Sequence, residues 1–201
     1  EWYYRSYSIN FDNNFIELPA ETYLDGYFQS EKYFADIEEV IRNEFTPVFE
    51  PSGDYKKWSE KIKNSNSVSI HVRRGDYLQK KNIKTHGVLE VDYYEKAIAM
   101  MKKEVESPQF FVFSDDETWC RENIIPITKN GQVVKISSEK RDIEELILMS
   151  ECKHNIIANS SYSWWGAWLN KSSMKTVFYP SIWMEGRYER GALFPEIWKE
   201  V

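Results

Sequence analysis

Cysteine is scarce in this chain: Cys120 and Cys152 are the only two in 201 residues, no CxxC spacing joins them, and the three histidines form no cluster with them. That argues against a disulfide scaffold and a structural zinc site, and fits a reducing compartment. Long apolar runs are missing as well. None approaches the ~20 residues needed to cross a bilayer, so no integral membrane segment is expected, and no signal-peptide pattern opens the chain. A basic surplus is also absent: 26 Lys and Arg stand against 32 Asp and Glu, a net charge of -6. The chain therefore lacks the basic face of a dedicated nucleic-acid binder, and any anionic partner must be met locally. Repeats and low-complexity tracts do not occur.

What is abundant is apolar and aromatic residues, at 42% and 16%, with 13 Tyr, 11 Phe and 8 Trp. This predicts a packed globular protein in which many rings also line surfaces or clefts. The length allows one ample domain, or one domain and part of another. Residues 1–65 read as an irregular aromatic stretch with no strand alternation, followed by two helices. One carries Phe34, Ile37, Ile41 and Phe45, the other Tyr55, Trp58 and Ile62, with Pro47, Pro51, Ser52 and Gly53 breaking the chain between them. Residues 66–201 alternate β with α. Strand signals fall at Val68–Val72, Phe110–Phe113, Val133–Ile136, Asn155–Ala158 and, as the last strand, Thr176–Tyr179; helical spacing links Tyr94 to Val105 and Ile143 to Ile147. Such alternation predicts an α/β fold, a Rossmann-like, mainly parallel sheet with helices on both faces.

Ligands of open parallel sheets sit at the carboxyl ends of the strands, and there the sequence turns polar. The first strand runs out into His71, Arg73, Arg74, Gly75 and Asp76, the second into Ser114, Asp115 and Asp116, the third into Ser137, Ser138 and Glu139, and the fourth into Asn159, Ser160 and Ser161. Arg73 and Arg74 suit an anion such as a diphosphate, because the guanidinium fork matches phosphate oxygens; ion pairs with Asp76 or Asp115 are the plainer alternative. Asn159, Ser160 and Ser161 precede a helical stretch whose N-terminus would favour the same anion, or would simply be capped by them. Asp115 and Asp116 resemble metal-holding acid pairs, yet no histidine accompanies them and the arginines already supply positive charge, so no metal is expected. Asp76, Asp115 and Asp116 are each candidates for a general base. Period two turns His71 toward the cleft with Arg73, unless it is a satisfied core histidine. Trp164, Trp165 and Trp168 suit packing better than a sugar platform.

Four segments together resemble glycosyltransferase family 11, the α-1,2-fucosyltransferases. His71-Val72-Arg73-Arg74-Gly75-Asp76 is similar to the family's HxRRxD motif, Leu24–Phe34 (LDGYFQSEKYF) to a bacterial signature, Phe113–Asp116 (FSDD) to an acidic strand end, and Cys152–Leu169 to a CKHxIIANSSFSWWGAWL stretch. The resemblance implies a GT-B architecture of two Rossmann-like lobes, GDP-fucose as donor, inversion at the anomeric carbon, no metal, and a galactose-terminated glycan as acceptor. Residues 66–201 would then be the GDP-sugar-binding domain, and residues 1–65 the mainly helical tail of the acceptor lobe. By the same resemblance Arg73 holds the diphosphate, with Arg74 and Ser160 or Ser161 assisting, His71 contacts the nucleotide, and Glu145, where the family more often has Asp, reads guanine. A Gly-rich GLGNQMFQY-like opening is missing and the chain starts in mid-pattern at Glu1, so an N-terminal segment is expected to be absent. A bacterial cytoplasmic setting, with peripheral association at the inner face of the membrane as an option, is implied, and the alternative is a GDP-sugar or carbohydrate-binding domain without turnover.

Overall fold

The computed structural model describes residues 2–8, 10–184 and 192–201. In chain order the elements are β1 (Trp2–Ser6), β2 (Thr22–Gly26), α1 (Glu38–Glu44), α2 (Gly53–Lys63), β3 (Ser67–Val72), α3 (Lys80–His86), α4 (Val91–Glu104), β4 (Gln109–Ser114), α5 (Glu117–Asn123), α6 (Ile125–Thr128), β5 (Gln132–Val133), α7 (Arg141–Glu151), β6 (His154–Ile156), α8 (Ser161–Leu169), β7 (Val177–Tyr179) and β8 (Lys199–Glu200). Two compact units result. One runs to Thr46 and adds a short C-terminal piece ending at Trp198; the other starts at Pro47 and takes in Lys199–Val201.

The smaller unit holds a parallel pair, β1 beside β2, with Tyr3 opposite Tyr23 and Ser6 opposite Gly26. Gly26 is required there, because a Cβ would lie 1.8 Å from the carbonyl oxygen of Ser6. The expectation of no strand in this stretch is corrected. Alternation fails as a signal because rings occupy both faces of the pair. Tyr3 and Tyr23 stack at 5.4 Å on one side, while Tyr4 packs on Phe15 and Phe28 on the other. Both helical patterns are present, although the first is shared between a 3-10 turn at Ala35–Ile37 and α1, and α2 lies in the larger unit.

The larger unit is a six-stranded, wholly parallel sheet in the order β5-β4-β3-β6-β7-β8, a Rossmann-like arrangement consistent with GT-B. Period two along the strands sorts the core into two layers. Val68, Ile70 and Val72 with Phe110 and Val112 meet Tyr94, Ala97, Ile98 and Met101 of α4. Phe111 and Phe113 face the opposite way, against Ile62 of α2 and Leu148 and Met149 of α7. Two strands depart from expectation. β5 is only two residues long, although Val134 N–H still donates to Val112 C=O at 2.8 Å, and β7 is not the last strand, because β8 adds Lys199 beside Phe178. A two-residue edge of Lys and Glu carries no apolar pattern to read.

Chain direction reverses in the middle of the sheet. From β3 the chain moves outward through β4 to β5; it then crosses back to β6, beside β3, and moves the other way. The crevice between the carboxyl ends of β3 and β6 is thus the topological switch point, where open α/β sheets place their ligands.

Candidate active site

A cleft of about 470 Å³ opens at that switch point, lined by side chains from the loop after β3, the end of β4, α7 and the start of α8. Of the residues singled out in the sequence, it brings together His71, Arg73, Asp76, Ser114, Asp115, Glu145, Ser160 and Ser161. Arg74, Gly75, Asp116, Asn159 and the third strand end, Ser137, Ser138 and Glu139, do not line it.

Arg73 is gripped by two carboxylates. Its Nη2 lies 2.9 Å from Asp76 Oδ1 and its Nη1 3.3 Å from Asp115 Oδ2, while its side chain remains 35% exposed to the cleft. Asp115 also accepts the Arg74 backbone N–H at 2.9 Å, so one carboxylate organises two consecutive residues of the loop. The loop can approach that closely because residue 75 is glycine: a Cβ there would sit 2.8 Å from Asp115 Oδ2. A Gly75→Ala variant is expected to displace Asp115 and misalign Arg73. Binding of a diphosphate-bearing ligand in the cleft should weaken about tenfold, as small displacements in a site do, with the melting curve showing the fold retained; calorimetry on the variant checks this.

Arg74 turns the other way. Its guanidinium lies 4.0 Å from the Trp119 ring centroid and its Nε 3.5 Å from Asp116 Oδ2, an ion pair longer than a hydrogen bond. Asp116 in turn caps α5, accepting Trp119 N–H at 3.0 Å. Asn159 is buried, its Nδ2 donating to His86 C=O at 2.7 Å and its backbone carbonyl accepting from Tyr77 O–H at 3.2 Å. Both arginines are therefore ion-paired, the plainer alternative; Arg73 also opens to the cleft, whereas Arg74 is turned away.

His71 is 4% exposed, and its Nδ1 has no hydrogen-bond partner although the residue lines the cleft. Burial pushes its pKa down to about 4, against the pull of Asp115, so the ring is neutral at pH 7. Ser160 caps α8 without a side-chain hydrogen bond to the helix, and with Ser161 it brings hydroxyls and the helix N-terminus to the cleft. Trp164 and Trp168 are buried and stack at 6.2 Å.

Sequence reasoning missed Arg141, Tyr77 and Asp142, which also line the cleft. Tyr77 follows Asp76 and its ring lies 5.7 Å from the Arg73 guanidinium. Arg141 stands four residues before Glu145, a helical ion-pair spacing that a reading focused on strand ends passes over. Among the described residues no group of three or more His, Cys, Asp or Glu could hold a metal, and no described helix is long and apolar enough to cross a membrane.

Known proteins resemble this chain in sequence. The chain is 38% identical over 179 residues to an alpha-1,2-colitosyltransferase of Escherichia coli, covering 88% of this chain and 61% of the relative. It is 40% identical over 174 residues to the O-antigen biosynthesis glycosyltransferase WbnK of Escherichia coli, covering 81% and 55%. With a galactoside 2-alpha-L-fucosyltransferase, SEC1, of Bos taurus the identity is 25% over 202 residues, covering 96% and 54%. The chain thus spans between 54% and 61% of the length of these relatives. The profile of glycosyl transferase family 11 matches residues 1–199, through both the arginine loop and the α8 segment that build the cleft, and the chain belongs to that family.

Proposed function

We propose that this chain is the donor-binding part of an inverting, metal-independent galactoside α-1,2-fucosyltransferase that takes fucose from GDP-fucose. The observation that carries the reading is the cleft itself. At a single switch point it offers a guanidinium for a diphosphate, a helix N-terminus for the same anion, and a buried neutral histidine and a buried carboxyl for a base. The names of the relatives support the transfer class and the 1,2 linkage, although they differ in the sugar moved, colitose or fucose.

In the proposed reaction the O2 hydroxyl of galactose attacks the anomeric carbon of fucose as the bond to the GDP phosphate oxygen breaks on the opposite face. Arg73 and the α8 N-terminus, with Ser160 and Ser161, stabilise the negative charge that GDP carries away. Asp76 accepts the hydroxyl proton; of the two candidate acids that line the cleft it is the more exposed, 45% against 27% for Asp115, whereas Asp116 serves as a helix cap. His71 and Glu145 bind the nucleotide, and Arg74 assists from behind by fixing the loop.

The test is transfer by the full-length protein from GDP-fucose to a galactoside in the presence of EDTA, with linkage analysis of the product. Fucose on O2 is expected. Loss of transfer in EDTA, or a different linkage, would sink this reading. The second reading, a binding domain without turnover, rests on the incomplete span of the relatives, and turnover by the 201-residue chain alone removes it.

A further inference from the structure

Glu145 is a buried carboxyl, 6% exposed, on the inner face of α7. The groups around it are Arg141 and Asp142 on its own helix, Glu117 on α5, and Tyr162 on α8, whose hydroxyl donates to the Asp142 carbonyl. His71 and Asp115 line the same cleft. Burial pushes the Glu145 pKa up to about 7; the hydrogen bond and charge of Arg141 pull it down, and Asp142 and Glu117 add to the rise. Arg141 is thus the cation that opposes neutralisation.

The position of Arg141 is unusual for a cation. It is the first residue of α7, where the helix dipole disfavours positive charge. The side chain instead folds along the helix. Its Nε donates to Glu145 Oε1 at 2.6 Å, and its Nη2 donates to the Ser114 carbonyl at the end of β4 at 2.8 Å. The planar fork therefore ties the carboxyl to the rim of the sheet through two groups in fixed relation. Its hydrogen bond engages Oε1 of a carboxyl that lines the cleft.

We propose that Arg141 is a positioning residue for guanine recognition, holding Glu145 ionised and aimed so that its carboxylate accepts the adjacent N–H groups of the base. The inference rests on the reading of Glu145 as the guanine-reading acid. A protonated Glu145 would present its own O–H to those donors, so the bound state excludes a proton that the free site holds below about pH 7. Acidification through that value must weaken binding, by up to tenfold per pH unit, and binding must level off above it.

The experiment is calorimetric titration of the chain with GDP-fucose from about pH 5.5 to 8.5, comparing the parent with Arg141→Gln, Arg141→Lys and Glu145→Gln. GDP-fucose suits the purpose because its diphosphate, esterified at both ends, does not titrate in this window, and His71 titrates only near 4. For the parent, affinity should fall on the acid side of about 7. In Arg141→Gln the midpoint should move up by roughly one unit or more, with affinity recovering at high pH, and Arg141→Lys should fall between. Glu145→Gln should bind about tenfold or more weakly at pH 8 and show a flat profile. If the parent and Glu145→Gln behave as described but Arg141→Gln keeps the parent's midpoint, or loses affinity equally at every pH, the role of Arg141 is overturned while that of Glu145 stands. If the parent profile is flat and Glu145→Gln binds as the parent does, the guanine reading of Glu145 fails, and the proposal with it.

Discussion

Replacing Arg73 by alanine is expected to weaken GDP-fucose binding about 100-fold. Two charge-assisted hydrogen bonds to phosphate contribute roughly 3 kcal/mol together, and each 1.4 kcal/mol is tenfold in affinity. The loss has a second source in this site. Asp76 and Asp115 both pair with Arg73, so the variant leaves two carboxylates facing the diphosphate without their cation. Calorimetry of the variant against the parent measures the effect, and Arg74→Ala is the control. Arg74 packs on Trp119 and pairs with Asp116, so its removal should appear in the melting temperature and only weakly in donor affinity. A folded Arg73→Ala chain that binds GDP-fucose normally would remove the phosphate from this site.

The second large effect is expected in stability, from Asn155→Ala. Asn155 is 1% exposed at the middle of β6, and its amide nitrogen donates to Ser69 Oγ at 2.7 Å and to the Met149 carbonyl at 2.9 Å. Its Oδ1 accepts from Asn170 Nδ2 at 2.7 Å, and Asn170 is itself 2% exposed. One side chain thus satisfies polar groups of β3, α7 and the segment after α8, all out of reach of water. Alanine at 155 would leave the Asn170 amide and the Ser69 hydroxyl unpaired and open a void, at a cost of about 3 kcal/mol. For a chain of this length the melting temperature should fall by about 6 to 12 °C. A decrease of only a degree or two would show that water or a rearranged Asn170 replaces the amide.

The two predictions draw on different kinds of legibility. Arg73 could be singled out from sequence because strand ends in a β-α-β alternation announce where ligands bind, and an arginine pair there is chemically specific. The relay through Asn155 could not, since an asparagine inside an apolar run carries no sign of which carbonyls and hydroxyls the neighbouring elements will bring to it. The same limit applies to the difference between Arg73 and Arg74. Adjacent in sequence, they read as a pair acting together. Successive side chains along extended backbone point to opposite sides, and only the structure shows that one side is the cleft and the other is Trp119.

Errors in the smaller unit have a related cause. Alternation identifies a strand only where one face is apolar and the other polar, and β1 carries tyrosines on both sides, Tyr3 against Tyr23 of β2 and Tyr4 against Phe15. In the larger unit, β8 escapes the same signal because two residues on a sheet edge need no burial pattern at all.

By itself the sequence determined the α/β class, the order of the main strands and helices, and the location of the polar strand ends, because hydrophobic periodicity and local chemistry are properties of neighbouring residues. It also determined the family, through motifs whose order and spacing are written along the chain. Tertiary structure alone decided that β3 and β6 lie side by side with the strand order reversing between them, that Arg141 and Tyr77 enter the same cleft as Arg73, and that Arg141 is tied to the end of β4. Those facts depend on which elements pack together across long separations, where burial raises the Glu145 pKa and a carbonyl of another strand holds the arginine that opposes it. No local pattern encodes a dielectric environment or a distant partner, and it is these that set the charge on the site.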